Sequence, residues 1–238
     1  MKIVALSDIH GYLQSPDTFP ECDVVCICGD VVPLRCQFDT VESSNWLVTE
    51  FNDWANKLPC KKVIFIAGNH DFFLEKISDN GLVTPEDVMK TLFQEESYSK
   101  TKLIYLCDSG VTIDGVTFYG TPWVADLSSW AFYKNNEELE AAYDKIHNVD
   151  VLLTHMPSIL GDTGFVKQPG SFNMYRQFGS EYLAKVILER DIKYALCGHV
   201  HSGSHTPYET KEGGCKVVNV SILDEDYRIN YDVFEFEL

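Results

Sequence analysis

The sequence predicts an α/β fold in which two stacked β-sheets lie between layers of helices. Short, nearly continuous apolar runs alternate along the chain with stretches of helical periodicity, which is the pattern of repeated β-α units. Two sheets would accommodate this many strands. The 238 residues show no internal repeat, low-complexity tract or long linker. We therefore expect residues 1–238 to form one domain.

Five apolar runs are expected to be buried strands. They are residues 2–7, 23–28, 62–67, 149–154 and 192–197. Residues 103–121 predict a short strand and a hairpin, in which Asp114-Gly115 favours a type I′ turn. Segments 215–221 and 227–237 also alternate in hydrophobicity, and we expect them to form a further antiparallel pair.

Four helices are expected between the strands. An apolar stripe at intervals of four, three and four residues includes Leu47, Phe51, Trp54 and Leu58, and it stops at Pro59. Thr84 followed by Pro85 predicts a helix start, with the helix running to about Gln94. Residues 137–147 and 180–190 predict two more helices.

The charge of the chain restricts its partners. Nineteen Lys and Arg against 36 Asp and Glu leave a net charge of −17 at pH 7. Because such a surface repels phosphate backbones, we do not expect binding to nucleic acid or to anionic membranes. Bound divalent cations would still create a local positive site for a small phosphorylated substrate. The oligomeric state is left open.

The eight cysteines indicate buried reduced thiols rather than disulfides or a structural zinc site. Most lie in apolar runs, and the sequence contains no Cys-x-x-Cys pair. The N-terminal apolar run is too short for a signal peptide or a membrane span. These features predict a cytoplasmic protein.

Metal-binding residue types follow the five apolar runs directly. In chain order they are Asp8 and His10, Asp30, Asn69, His155, and His199 with His201. In α/β sheets, the carboxyl edge of the strands is where ligands bind. Carboxylate, amide and imidazole donors without thiolates suit manganese, iron or zinc. We therefore predict a metal centre at this edge.

Each of these motifs is weak when taken alone. An Asp-x-His or Gly-Asp after a strand is at least as often a solvated turn or a helix cap, and a Gly-His-x-His is only moderately specific. Solvated turns do not readily explain why all five motifs occur in order after alternating apolar strands. The combination favours a functional site.

The motifs resemble those of the calcineurin-like metallophosphoesterases. The matches are Asp-x-His at 8–10, Gly-Asp at 29–30, Gly-Asn-His-Asp at 68–71, His155, and Gly-His-x-His at 198–201. The resemblance implies a four-layer α/β/β/α sandwich and two metal ions. It assigns Asp8, His10 and His201 to the first metal, Asn69, His155 and His199 to the second, and Asp30 to a bridge between them.

The same resemblance implies that His70 is the catalytic histidine and that Asp71 orients it. Gly120-Thr121-Pro122-Trp123 and Ser129-Trp130-Ala131-Phe132 are similar to the small metallophosphoesterase-domain branch. Some members of that branch have lost a metal histidine in the last motif, but this chain keeps both His199 and His201.

One departure from the family bears on the substrate. The protein serine/threonine phosphatases of the family continue Gly-Asp with Val-Asp-Arg-Gly, whereas this chain continues Asp30 with Val-Val-Pro-Leu-Arg. Fixed arginine forks favour a dianionic monoester, so their absence favours a phosphodiester or nucleotide. Arg35 or Arg176 could still reach the site. Trp123 and Trp130 are expected in the core or at the rim, with a base-stacking platform as the alternative.

These residues predict a phosphoesterase with a two-metal hydroxide mechanism. Two cations about 3.5–4 Å apart lower the pKa of a shared water toward ~7. His70 is the candidate general acid for the leaving group. The long segment 158–179 is a candidate substrate lid. The alternatives are a nuclease of the same chemistry, which the charge disfavours, and a non-catalytic scaffold, which should have lost ligands.

Overall fold

The strands form two main mixed sheets in the computed structural model, which describes residues 1–78, 84–93, 102–125, 127–167 and 175–238. The first sheet has the spatial order β13 (Phe234–Glu237), β1 (Lys2–Leu6), β2 (Val24–Cys28), β3 (Lys62–Ile66) and β4 (Leu103–Tyr105). The strands β1 to β4 are parallel, and β13 pairs with β1 in the antiparallel direction.

The second sheet has six strands. Their spatial order is β11 (Tyr208–Glu209), β12 (Lys216–Asn219), β10 (Ile192–Cys197), β7 (Val149–Thr154), β6 (Val116–Thr121) and β5 (Ser109–Ile113). The four central strands are parallel, and the two edge strands are antiparallel to their neighbours. A separate two-stranded sheet pairs β8 (Phe165–Lys167) with β9 (Tyr175–Gln177).

Helices cover the outer face of each sheet. They are α1 (Thr40–Trp46), a π-helical turn (Leu47–Phe51), α2 (Asn52–Lys57), α3 (Phe72–Ser78), α4 (Pro85–Phe93), α5 (Asn136–Tyr143) and α6 (Glu181–Glu189). Short 3₁₀ turns span Pro16–Thr18 and Leu160–Asp162. Among the helices in the described ranges, none has the length and apolar character of a membrane span.

Alternation along the central strands builds the four layers. In β1, Val4 and Leu6 pack against the layer of α1 to α4, whereas Ile3 packs toward the second sheet. In β7, Leu153 faces the first sheet and Leu152 faces α5 and α6. Both faces of these strands are buried, which explains why their sequences are continuously apolar. The predicted α/β/β/α sandwich is confirmed.

The hairpin and two of the helix starts follow their sequence signals. Asp114 and Gly115 both have positive φ, 47° and 86°, as a type I′ turn between β5 and β6 requires. Thr84 Oγ1 accepts a hydrogen bond from the backbone N–H of Asp87 at 3.2 Å. In turn, the carboxylate of Asp87 accepts one from the backbone N–H of Thr84. Gln94 lies outside the described residues. Ser180 caps α6, which begins at Glu181.

The predicted antiparallel pair in the C-terminal segment is wrong. β12 lies beside β10 in the second sheet, and β13 lies beside β1 in the first. Hydrophobic alternation identifies a half-buried strand but not the strand beside it.

Segment 158–179 is more structured than a loop, since it contains a 3₁₀ turn, β8 and β9. Residues 168–174 of the candidate lid lie outside the described residues.

Candidate metal centre

The carboxyl ends of the parallel strands of both sheets meet at one place. There the backbone N–H of Asp8 donates to Gly29 O at 3.0 Å, and the N–H of Gly198 donates to His155 O at 3.0 Å. The first bond joins the carboxyl ends of β1 and β2, and the second joins the carboxyl ends of β7 and β10. The structure thus brings the predicted ligands into one cluster: Asp8, His10, Asp30, Asn69, His155, His199 and His201.

Asp8, His10 and His201 form one group of candidate ligands. Their ligand atoms all lie within 4.8 Å of one another. His201 directs Nε2 to within 3.4 Å of Asp8 Oδ1 because its Nδ1 donates to the backbone oxygen of Asp224. Such a bond on the far nitrogen is the usual way in which proteins orient a metal-binding imidazole.

Asn69, His155 and His199 form a second group. Asn69 Oδ1 lies 2.9 Å from His155 Nε2 and 2.8 Å from His199 Nδ1. The other nitrogen of His155 donates to Cys28 O at 2.8 Å, which holds Nε2 toward the centre. The three donor atoms therefore converge on one point of the buried interior.

Asp30 lies between the two groups. Its Oδ2 is 3.6 Å from His10 Nε2 and 3.5 Å from His155 Nε2, whereas Oδ1 accepts the backbone N–H of His70 at 2.8 Å. Oδ2 therefore faces both groups, so Asp30 is placed to join them.

His10 shows that these residues fit a cation. Both of its ring nitrogens are buried, and in the described part of the chain neither has a hydrogen-bond partner. Leaving buried polar atoms unpaired costs free energy, about 1–3 kcal/mol for each group. Burial lowers the pKa of His10 to about 4, so the ring is neutral and keeps the lone pair that a metal needs. The types of donor atom and the unpaired nitrogens of His10 both indicate a site that fits a metal cation.

Several ligands adopt strained backbone conformations. Asp8, Asp30 and His199 have φ of 55°, 53° and 68°, and His10 has φ of 41°. Non-glycine residues in this left-handed region cost about 1–3 kcal/mol each and persist only where the surroundings impose them. The packing around the centre therefore imposes these conformations on the candidate ligands.

Close packing at the centre requires a glycine at 198. A Cβ added there would meet Ser7 Oγ at 2.0 Å and Asp8 Oδ2 at 2.3 Å. Because Gly198 has no Cβ, the carboxyl end of β10 approaches Asp8 closely. The N–H of His199 then donates to both carboxylate oxygens of Asp8 at 3.1 Å. Gly198 thus belongs to the construction of the centre.

The charges at the centre favour bound cations. Burial would raise the pKa of Asp8, but hydrogen bonding and charge from His201 hold it below its ordinary value. Burial also opposes ionisation of Asp30, yet the charge of His155 and its hydrogen bond hold the pKa of Asp30 well below the usual range. Both carboxyl groups are therefore anionic in a buried site, where positive charge stabilises them.

His155 and His201 are the cationic partners in the absence of metal. Burial disfavours their charged forms, but Asp30 raises the pKa of His155 to about 9, and Asp8 raises that of His201 to about 9. His199 differs, because burial and the charge of His155 lower its pKa to about 4. A metal would take the place of the protons on His155 and His201.

His70 and Asp71 are arranged differently from the expectation that Asp71 orients His70. The carboxylate of Asp71 accepts backbone N–H groups from Val31, Val32 and Gly68 at 2.8–3.2 Å. Burial and the charge of Asp30 raise the pKa of Asp71 to about 7. His70 Nδ1 instead contacts Gln37 Oε1. Asp71 therefore ties two metal-binding loops together, and Gln37 orients the ring.

The Calcineurin-like phosphoesterase family model matches residues 1–203. The chain belongs to this family. Family membership and the cluster of metal-binding residues together support a metal-dependent phosphoesterase.

Relatives within the calcineurin-like phosphoesterase family include animal proteins. The UPF0046 protein K07C11.7 of Caenorhabditis elegans is 31% identical over 84% of this chain and 63% of its own length. The human metallophosphoesterase domain-containing protein 1 is 29% identical over 95% of this chain and 68% of its own length. The predicted likeness to that branch is confirmed, and the chain spans about two thirds of these relatives.

Solved structures share the calcineurin-like fold at low identity. The phosphopantetheinyl hydrolase of Mycobacterium tuberculosis is 17% identical, with a TM-score of 0.53 over 95% of this chain and 90% of its own. A protein of Thermus thermophilus is 14% identical, with a TM-score of 0.53 over 92% of this chain and 88% of its own.

The three candidate substrate contacts of this calcineurin-like chain lie in different surroundings. Arg35 is exposed and pairs with Glu42 and Glu50 at 3.5 and 3.8 Å. Arg176 lies over the ring of Phe178, beside a cavity of about 400 Å³ that His199 also lines. The indole N–H of Trp123 donates to Asp108, and Lys134 covers its ring. Arg176 and Arg35 thus each line a cavity with a candidate metal ligand, Arg176 with His199 and Arg35 with His10.

Several residues of the site carry no signal in the sequence. A central cavity of about 220 Å³ above the ligands is lined by Trp130, Glu225 and Tyr227 together with Asp30, Asn69, His70 and His201. The Trp130 ring lies 4.5 Å from that of His70. Three residues of the site belong to no motif, namely Gln37, Glu225 and Tyr227. Each lies in a loop that is far along the chain from the site residues beside it.

Proposed function

We propose that this protein hydrolyses a phosphodiester of a small molecule or nucleotide, with two divalent cations of manganese, iron or zinc. The convergence of seven donor residues, with Asp30 between the two groups and the unpaired nitrogens of His10 among them, carries the proposal. Bound cations would supply an activated water at neutral pH and neutralise negative charge on the phosphoryl oxygens.

The lining of the central cavity supports a diester rather than a monoester. Among the described residues that line it, there is no arginine or lysine, and one is the carboxylate Glu225. A dianionic monoester is usually held by a fixed arginine fork, whereas a diester carries one negative charge. Glu225 adds repulsion that grows with each further negative charge on the substrate.

His70 is suited to act on the leaving group. Its Nδ1–H donates to Gln37 Oε1, and its Nε2 lies 3.9 Å from Asp30 Oδ2, at the wall of the central cavity. In this role, protonated Nε2 gives its proton to the departing oxygen, which is otherwise a poor leaving group. Trp130 packs on the ring and limits its rotation.

The alternatives have less support. A nuclease would need positive charge along its binding groove, but the chain carries −17 overall. A non-catalytic scaffold would have no reason to keep a full set of ligands, several of them in strained backbone conformations. Small phosphorylated molecules are therefore the proposed substrates.

The experiment is hydrolysis after metal reconstitution. Protein stripped with chelator and reloaded with Mn²⁺, Fe²⁺ or Zn²⁺ is assayed on bis-p-nitrophenyl phosphate and on p-nitrophenyl phosphate, with Asp30→Asn as the inactive variant. We expect about two metals per chain and a higher kcat/KM for the bis ester. Absence of stoichiometric metal together with absence of hydrolysis would overturn the proposal.

A further inference from the structure

Tyr227 separates the central cavity from a larger one. It lines the central cavity and also a second cavity of about 560 Å³, the side cavity, which adjoins His10. The Tyr227 ring meets His10 and His201 nearly edge-on, with centroids 5.0 and 5.4 Å apart. A group attached to a phosphate at the metal centre would therefore reach the side cavity by passing this ring.

A rigid turn holds Tyr227 in this position. Its φ is 59°, and its N–H donates to Asp224 O at 2.9 Å. Asp224 Oδ1 also accepts the N–H groups of Asp226 and Arg228. The same Asp224 backbone oxygen accepts from His201 Nδ1, so one turn positions both a metal ligand and the dividing ring.

The wall of the side cavity is apolar and open to solvent. Tyr12, Tyr227 and Ile229 are 47%, 43% and 49% exposed, and Pro33 and Leu223 are further apolar residues of the wall. A cluster of exposed apolar side chains beside a polar centre is typical of a ligand site. An apolar substituent would cover the surface that these side chains now expose to water.

The charges beside the side cavity argue against a second anionic group. Arg35 and Arg228 line it, but both are paired with acids. Arg35 lies 3.5 Å from Glu42, and Arg228 lies 3.5 Å from Asp226. An additional phosphate would have to compete with these carboxylates, whereas a neutral ring would not.

We propose that the side cavity binds a neutral apolar or aromatic substituent of the phosphodiester, and that Tyr227 is the residue that selects it. The proposal rests on the proposed function, since it places the phosphate at the metal centre. It makes the substrate a diester with at least one uncharged organic group rather than a polyanion.

The test measures binding and needs no turnover. Dimethylphosphinate and methyl(phenyl)phosphinate are monoanions without an ester bond, and they differ in one substituent. Their Kd values are measured by calorimetry on the Mn²⁺-loaded protein. We expect the phenyl compound to bind at least about tenfold more tightly, from burial of the ring. Tyr227→Ala and Ile229→Ala should each reduce this preference to about threefold or less.

Matched controls separate the side cavity from general surface effects. Leu188→Ala removes an aliphatic side chain of similar exposure, 45%, from α6, and it should leave the preference unchanged. Arg228→Ala should also preserve it, because the substituent is neutral. Loss of the preference in Arg228→Ala would show that Arg228, and not the apolar wall, holds the ring, and it would overturn the proposal.

The outcomes distinguish this subsite from the proposed function. Equal affinity for the two phosphinates, no binding of either, or a preference that survives both cavity variants would overturn the subsite. A preference for the phenyl compound without hydrolysis of any diester would support the subsite and contradict the proposed function.

Discussion

The ring of His70 is oriented by the side-chain amide of Gln37, 33 residues earlier in the chain. A neutral amide positions Nδ1 without adding charge. Burial then lowers the pKa of His70 below its ordinary value, although the charge of Asp30 partly opposes the shift. The choice of partner at residue 37 should therefore set the pH range in which His70 can donate a proton.

Gln37→Glu is expected to move that range upward. A carboxylate beside the ring favours the imidazolium and raises the pKa of His70. A general acid is lost as pH rises through its pKa, so the alkaline limb of kcat should shift to higher pH. The measurement is kcat against pH on an unactivated diester. Asn56→Asp, which adds the same charge on α2, should not move the limb, and an unmoved limb in Gln37→Glu would contradict the assignment.

His70→Asn is expected to separate metal binding from catalysis. The variant should keep its metals, because His70 is outside the two ligand groups, but kcat on an alkyl diester should fall about 10²–10⁴-fold. The loss should be much smaller for a p-nitrophenyl leaving group, which departs without a proton. Kinetics on the two substrates and metal analysis provide the test, with His147→Asn beyond α5 as the control. Wild-type activity on the alkyl diester would remove His70 from the mechanism.

His10→Leu is expected to have opposite effects with and without metal. In chelator, the substitution removes two buried unpaired nitrogens, so stability should be unchanged or higher by about 1–3 kcal/mol. With metal at 100 times its Kd, the wild type should gain about 2.7 kcal/mol that the variant lacks. Urea unfolding in both conditions measures this. A variant that loses equal stability in both conditions would show that His10 serves packing alone.

Metal binding is expected to release protons. With pKa values of about 9, His155 and His201 are protonated at pH 7 and must lose a proton to bind metal, whereas His10 and His199 are already neutral. Affinity should therefore fall as pH falls, by about a hundredfold per unit while two protons are displaced. Calorimetry at pH 7 in buffers of different ionisation enthalpy counts the protons. A count of zero would contradict this charge assignment.

The sequence alone was sufficient for the central strands and for the position of the candidate ligands that follow them. Strands buried on both faces are continuously apolar, so β1, β2, β3, β7 and β10 are recognisable without their neighbours. The position of a residue that follows such a strand closely, such as Asp8 or His199, is set by where the strand ends. The positions of these motifs are local properties of the chain, and the carboxyl edge of the sheets brings them together.

Only the tertiary structure decided which strands are neighbours and which residues complete the centre. The partner of β13 is β1, at the other end of the chain, and hydrophobic alternation does not encode that choice. Gln37 beside His70, and Tyr227 between the two cavities, come together through loop paths that no short motif records. Such contacts depend on how distant segments pack. The cluster of candidate metal-binding residues could therefore be predicted from the sequence, whereas the partner of His70 and the shape of the cavities beside the cluster could not.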